Sequence, residues 1–393
     1  MRKTRSVAVA AGLASLALVV TACSSTPAGE GEGDPIIIGH AADFSGDYSF
    51  YDSPMRAGAE LAIDEINKAG GVLGRPLEYR AIDGRDDQAE TLRATEELLD
   101  AGAVYLIGTT GSPWAAQATL SCEAGVPIST GDGTSPDLVG QIGECAHHVI
   151  MSDNVQAAVA AEYALEQGWT TAFVMRSSDD PYTDGVPNYF TDTFTQGGGT
   201  IVGETEFRIG AGDYNVQATE IANLPEQPDF IFTPIFVSDT QVFLRQLRAQ
   251  GVTTQVVGAD GAVDASVLDA GDAAEGLIAT FHAWPNDGDA RIAKFIDDYT
   301  AFHGSAPESM VAGLGYDEIY LIAQIIEAQG EASAEAIIRG LADAQFTGVT
   351  GSLTMDPTTR RANKEITLVK IENGEIVYLD SLSPKHVPAV PGD

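Results

Sequence analysis

The chain has 393 residues with 21 Lys+Arg against 57 Asp+Glu, a formal net charge of −36, and 44% hydrophobic residues. So acidic a balance excludes nucleic acid, whose phosphates are neutralised by Lys and Arg, and excludes adhesion to anionic lipid headgroups through basic patches. It suits the solubility of an exported protein and says nothing about the charge of a ligand.

Met1-Arg-Lys-Thr-Arg5, an apolar run from Val7 to Val20 and small residues before Cys23 predict a secretory signal peptide over 1–22, with an apolar core too short to span a bilayer. Val20-Thr-Ala-Cys23 resembles the bacterial lipobox. That resemblance implies that Cys23 becomes a lipid-modified first residue and holds the protein to the outer face of the cell membrane by lipid alone. Residues 23–35, polar and Gly-rich, read as a flexible tether. With Cys23 taken by lipid, Cys122 and Cys145 remain as a pair in an oxidising compartment. A disulfide worth about 3 kcal/mol in the chain-entropy picture is the leading reading, and two free buried thiols are the alternative.

After the tether, short apolar strands alternate with amphipathic helices. Strands are predicted at 36–39, 77–82, 104–108 and 126–129, separated by helices at 55–69, 89–101 and 113–124. A second series has helices at 156–167, 186–195, 216–222 and 240–250 and strands at 171–175, 200–206, 230–233, 255–257 and 277–281. Strict alternation predicts two parallel sheets covered on both faces. Helices at 292–303, 309–328 and 334–341 follow, the last capped by Ser333. A hairpin turning at Asn373-Gly374 and a Pro-containing tail close the chain.

Three Ser-Pro steps, Ser53-Pro54, Ser112-Pro113 and Ser135-Pro136, read as helix starts: serine caps an orphan N–H and proline suits the first helical position. Exposed N–H groups at such an edge suit a carboxylate. No Gly-x-Ser-x-Gly, His-Glu-x-x-His, phosphate-loop or dinucleotide pattern is present, and Gly70-Gly-Val-Leu-Gly74 has the wrong spacing for one. His147 and His148 are adjacent and cannot both point one way from a strand, so no metal site is expected. These features argue against an enzyme and predict neither a cofactor nor a metal.

Asp43-Phe-Ser-Gly, Ile66-Asn-Lys-Ala-Gly-Gly-Val-Leu-Gly-Arg-Pro-Leu, Leu106-Ile-Gly, Gly125-Val-Pro-Ile-Ser, Asp179-Asp-Pro-Tyr-Thr-Asp-Gly and Gly258-Ala-Asp-Gly resemble the branched-chain amino-acid (leucine/isoleucine/valine-binding) family of ABC transporter substrate-binding proteins. The resemblance implies the type I periplasmic-binding fold: two Rossmann-like α/β lobes joined by a three-strand hinge, lobe 1 being 36–152 plus 283–357 and lobe 2 being 153–282 plus 358–393. It implies capture of an amino acid or close analogue by a monomer that works with permease and ATPase subunits on separate chains. Short amides, urea or aromatic acids are the alternative ligands, and a sensor subunit the alternative role. The site residues it implies are Ser112 and Thr134, with the Gly133 loop, for a carboxylate. Asp132 through its carbonyl, and Asp260, would meet an ammonium, with Tyr51, Tyr182 and Phe236 as an aromatic clamp. Asp132 also brings a second acid, and Trp114 is expected to fill part of the side-chain pocket.

Overall fold

The computed structural model describes residues 33–140, 142–285 and 289–391. The leader, Cys23 and most of the tether lie outside the described residues.

The first sheet is wholly parallel, with strand order β2-β1-β3-β4-β5: β1 (Ile36–Ala42), β2 (Leu77–Asp83), β3 (Tyr105–Ile107), β4 (Ile128–Ser129) and β5 (Ala146–His147). Between its strands run α1 (Ser49–Lys68), α2 (Gln88–Asp100), α3 (Trp114–Glu123) and the single turn α4 (Asp137–Gly140). The buried runs of β1 and β3 show why this series reads as a parallel sheet: both faces are covered, so apolar residues need not alternate.

The chain then passes to α5 (Asp153–Glu166) and a second sheet containing β6 (Thr171–Arg176), β7 (Thr200–Glu206), β8 (Phe230–Thr233), β9 (Gln255–Gly258) and β10 (Ile278–Phe281), with α6 (Pro181–Gln196), α7 (Asn215–Ala222) and α8 (Val237–Ala249) between strands. It returns through α9 (Ala290–His303), α10 (Val311–Gln329) and α11 (Ala334–Leu341), whose Ser333 side chain accepts the Ala336 N–H as expected. A small antiparallel sheet follows, β11 (Gln345–Gly348), β12 (Gly351–Met355) and β13 (Ala362–Lys364), before β14 (Ile366–Glu372) and β15 (Glu375–Leu382) finish the second sheet as an antiparallel edge, in order β15-β14-β10-β9-β8-β6-β7. The hairpin turns at Asn373-Gly374, both at positive φ, which is what a two-residue turn between twisted strands requires. The two-lobe α/β fold is thus as expected.

Three details differ from the sequence reading. The strands at 345–364 were not anticipated, because each is only three to five residues long, too short for its alternation of buried and exposed positions to stand out. Their presence moves the third passage between lobes from 357 to the single residue between Lys364 and Ile366. Ser53-Pro54 is not a helix start: α1 begins at Ser49, because the Asp43 carboxylate accepts the N–H groups of Ser45, Gly46 and Tyr48 and turns the chain into the helix earlier. Ser112-Pro113 does stand immediately before α3, and Ser135-Pro136 before α4.

Cys122, near the end of α3, and Cys145, before β5, come within disulfide distance, with Cα atoms 5.6 Å apart. The lobe formed by the first sheet is closed by α1 packed on α10, whose axes approach at glycines. A methyl on Gly58 would stand 1.7 Å from the Ala312 carbonyl oxygen, and one on Gly315 would stand 1.9 Å from that of Met55. Overpacking such a contact typically costs 1–3 kcal/mol. Gly58→Ala and Gly315→Ala are each expected to lower stability by about that much in denaturant unfolding, whereas Gly140→Ala, with open space around it, leaves the midpoint unchanged; equal stability of all three would show that the helices do not meet here.

Candidate functional site

Both sheets turn the carboxyl ends of their parallel strands toward the gap between the lobes, the edge where open α/β sheets bind ligands. On the first lobe the loop after β3 carries Ser112 and the loop after β4 carries Asp132, Gly133 and Thr134. The two loops interlock: the Thr110 hydroxyl lies 3.2 Å from the Asp132 N–H, and a Cβ on Gly131 would be 2.2 Å from the Gly108 carbonyl oxygen. Fully buried Asp52 of α1 ties the β3 loop down, accepting the hydroxyls of Thr109 and Thr110 and the Thr110 N–H. Ser112 is exposed at the mouth of α3. Thr134 is buried, and its carbonyl accepts the N–H of Asp153 at the start of α5, so this loop already touches the second lobe.

From the second lobe come Tyr182 near the start of α6, Phe236 capping α8, and Asp260-Gly261 after β9. Tyr182 and Phe236 stack with centroids 5.4 Å apart, and Tyr51 of α1 meets Phe236 edge-on at 6.2 Å. The aromatic wall therefore spans the gap. Gly261 is required where these rings converge, since a Cβ there would lie 3.0 Å from Phe236, 3.0 Å from the Tyr182 hydroxyl and 3.1 Å from that of Tyr51. At the rim, the Tyr48 hydroxyl donates to Asp180 across the same gap at 3.1 Å.

Asp260 is held from several sides. Its Oδ1 accepts the Tyr182 hydroxyl and the Gln156 amide, each at 2.7 Å, while its Oδ2 lies 3.4 Å from His282 Nε2. The same His282 nitrogen is 3.1 Å from Asp132 Oδ1, so one imidazole faces an aspartate from each lobe. All three side chains are buried. Burial by itself disfavours the imidazolium, but Asp132 and Asp260 outweigh it and raise the His282 pKa to about 9. Burial pushes Asp260 up, and the hydrogen bonds and charge of His282, with Gln156 and Tyr182, bring it below the usual carboxylate range. Asp132 is raised, chiefly by burial, with His282 pulling it back down. Asp153 is raised well above the usual carboxylate range, first by burial and then by the Asp260 charge.

The structure thus brings Tyr51, Asp132, Tyr182, Phe236 and Asp260 together and sets Ser112, Gly133 and Thr134 on the adjoining edge. Trp114 is different. Its ring lies in the first lobe's core at 2% exposure, its indole N–H donating to the Ser129 carbonyl at 2.7 Å, and the missing side chain of Gly108 makes room for it. The ring therefore packs with the first lobe's core side chains and stands apart from the Tyr51, Tyr182 and Phe236 cluster. Sequence reasoning missed His282, Gln156 and Asp153. His282 directly follows a strand that was recognised, and the rule that ligands sit beyond the carboxyl ends of parallel strands would have found it.

The family described as periplasmic binding protein matches residues 35–375. The leucine-, isoleucine-, valine-, threonine-, and alanine-binding protein of Pseudomonas aeruginosa is 26% identical over 337 residues, covering 85% of this chain and 89% of its own. A leucine binding protein from Thermotoga maritima superposes with a TM-score of 0.79 at 25% identity, over 89% of this chain and 99% of that one. A solute binding protein of an ABC transporter from Rhodopseudomonas palustris, solved with p-hydroxybenzoic acid, gives 0.79 at 21% identity over 89% and 98%.

The raised His282 makes stability depend on pH. A group whose pKa rises from 6.5 unfolded to about 9 folded stabilises fully below pH 6.5, and that contribution, about 3 kcal/mol, is lost as pH climbs through 9. Urea unfolding is expected to show the parent losing stability between pH 6.5 and 9.5 along a slope that His282→Gln flattens; parallel curves for the two proteins would show that the imidazole is not held protonated.

Proposed function

This chain belongs to the periplasmic binding protein family, and from that premise we propose that it captures an amino acid or close analogue between its lobes and delivers it to an ABC importer whose permease and ATPase are separate chains. It is a binding protein and not an enzyme. The observation that carries the ligand reading is the opposed chemistry of the two edges. A hydroxyl and a helix N-terminus face the gap at Ser112 and α3, and a carboxylate wall of Asp132 and Asp260 faces it a loop away. A zwitterion needs both. Ser112 and Thr134 would hold the α-carboxylate, and Tyr51, Tyr182 and Phe236 would cover the side chain.

Removing either hydroxyl leaves backbone donors in place, so Ser112→Ala and Thr134→Ala should each weaken binding of a cognate amino acid by roughly 1.5–3 kcal/mol, the range for hydrogen bonds to charged groups. Mass spectrometry of whatever stays bound after purification names that ligand, and calorimetric titration of the variants measures the loss. Unchanged affinity in both variants would remove the carboxylate site from this edge. An aromatic acid recovered in place of an amino acid would favour the reading in which the stacked Tyr182 and Phe236 clamp a ring.

The lipobox supports attachment through lipid on Cys23, leaving Cys122 and Cys145 to pair. A Cys23→Ser variant expressed with its leader is expected to leave the membrane fraction and, denatured without reductant, to show no labelled thiol. Retention in the membrane would sink the anchor, and two labelled thiols the disulfide.

A further inference from the structure

Asp260 was the acid expected to meet a ligand's ammonium, yet its two oxygens are engaged from within the protein. Tyr182 and Gln156 both donate to Oδ1, and His282 stands at Oδ2. Asp132 is placed differently. Its Oδ1 lies within ion-pair distance of His282 but, among the described residues, has no aligned hydrogen-bond donor, although it is buried. The Tyr51 hydroxyl is likewise buried without a hydrogen-bond partner. The charged and titratable groups set against His282 are Asp132 from the β4 loop and Asp260 from the β9 loop; Asp153 of α5 reaches the cluster through Gln156. One cation against two carboxylates leaves one negative charge, and the under-donated oxygen is on Asp132.

We propose that Asp132 supplies the charge that receives a ligand's ammonium group, and that His282, set between Asp132 and Asp260 and neutralising one of the two carboxylates, is a specificity-determining residue that matches the site to a solute with one positive charge. This rests on the amino-acid reading above. In that arrangement the acid of the second lobe belongs to the scaffold, and the acid of the first lobe is the one offered to the solute. A buried site that is short of one positive charge accepts a zwitterion and rejects the same molecule without its ammonium, because the deaminated acid leaves Asp132 uncompensated.

Charge arithmetic gives a test that a merely structural role for His282 would fail. Asp132→Asn takes the wall from one net negative charge to none, so calorimetric titration with the best binder among L-leucine, L-valine, L-threonine and L-alanine should show affinity falling on the order of 100-fold. The corresponding deaminated acid should bind the variant better than it binds the parent. Adding His282→Gln to Asp132→Asn frees Asp260 and restores one negative charge, so the double variant should recover the amino acid to within about tenfold of the parent. A double variant weaker than Asp132→Asn alone would overturn the assignment while leaving the amino-acid reading intact. A parent that binds none of the four amino acids overturns that reading and this inference with it. Independently of any variant, ring ¹⁵N shifts of His282 in the parent should be those of an imidazolium at pH 7, and a neutral ring there would overturn the proposal.

Discussion

One imidazole shared by two buried aspartates is the contact on which the gap between the lobes depends. Asp132 stands on a loop of the first sheet, Asp260 on a loop of the second, and His282 on the chain that leaves the second sheet for the first. Two carboxylates brought together out of water repel each other and would take up a proton unless a cation lay between them. His282 supplies that cation, and its position just after β10 lets it do so without a long side chain reaching across the gap. Breaking either partner away would leave a buried charge exposed to low dielectric, which is costly.

The surrounding polar groups serve this arrangement. Gln156 is held in one orientation, its carbonyl oxygen accepting Thr280 and the Asp260 N–H while its amide donates to Asp153 and Asp260. Tyr182 spends its hydroxyl on Asp260 and also accepts the Gly261 N–H. On the facing lobe Asp52 and Asp43 do comparable work with backbone: each buried carboxylate gathers donors from a loop that would otherwise be free to move. The Asp43-Phe-Ser-Gly segment, which carried part of the family resemblance, is this loop clamp. The loops at the ends of both sheets are therefore tied down by buried carboxylates.

Most of the fold was legible in the sequence because its signals are local. Apolar runs such as Ile36–Gly39 and Phe230–Thr233 are too short for helices and too continuous for one-faced strands, so they announce a sheet covered on both sides. Ser333 and Asn373-Gly374 mark a cap and a turn by chemistry that acts within four residues. The small sheet at 345–364 escaped because its strands are only three to five residues long and carry Thr and Asn at their exposed positions, and Ser53-Pro54 misled because the Asp43 side chain, ten residues back, decides where α1 begins.

The same division holds for the site. Sequence determined, through its strand–loop–helix order, that the Ser112-Pro113 and Ser135-Pro136 steps would lie at the carboxyl edge of one sheet, while Thr134, Asp132, Tyr182 and Asp260 came from the family resemblance. Tertiary structure alone decided what those groups do to one another. Trp114 points into its own lobe because Gly108 leaves space there, and Asp260 is satisfied from inside because Gln156 and Tyr182 come from helices more than seventy residues away in the chain. The place of His282, just after a recognised strand, is a sequence signal, but its charge is not: that comes from Asp132 on the other lobe and from Asp260, which it meets only when both sheets face each other. Periodicity is set by neighbours along the chain, whereas the proton affinity of a buried group is set by neighbours in space.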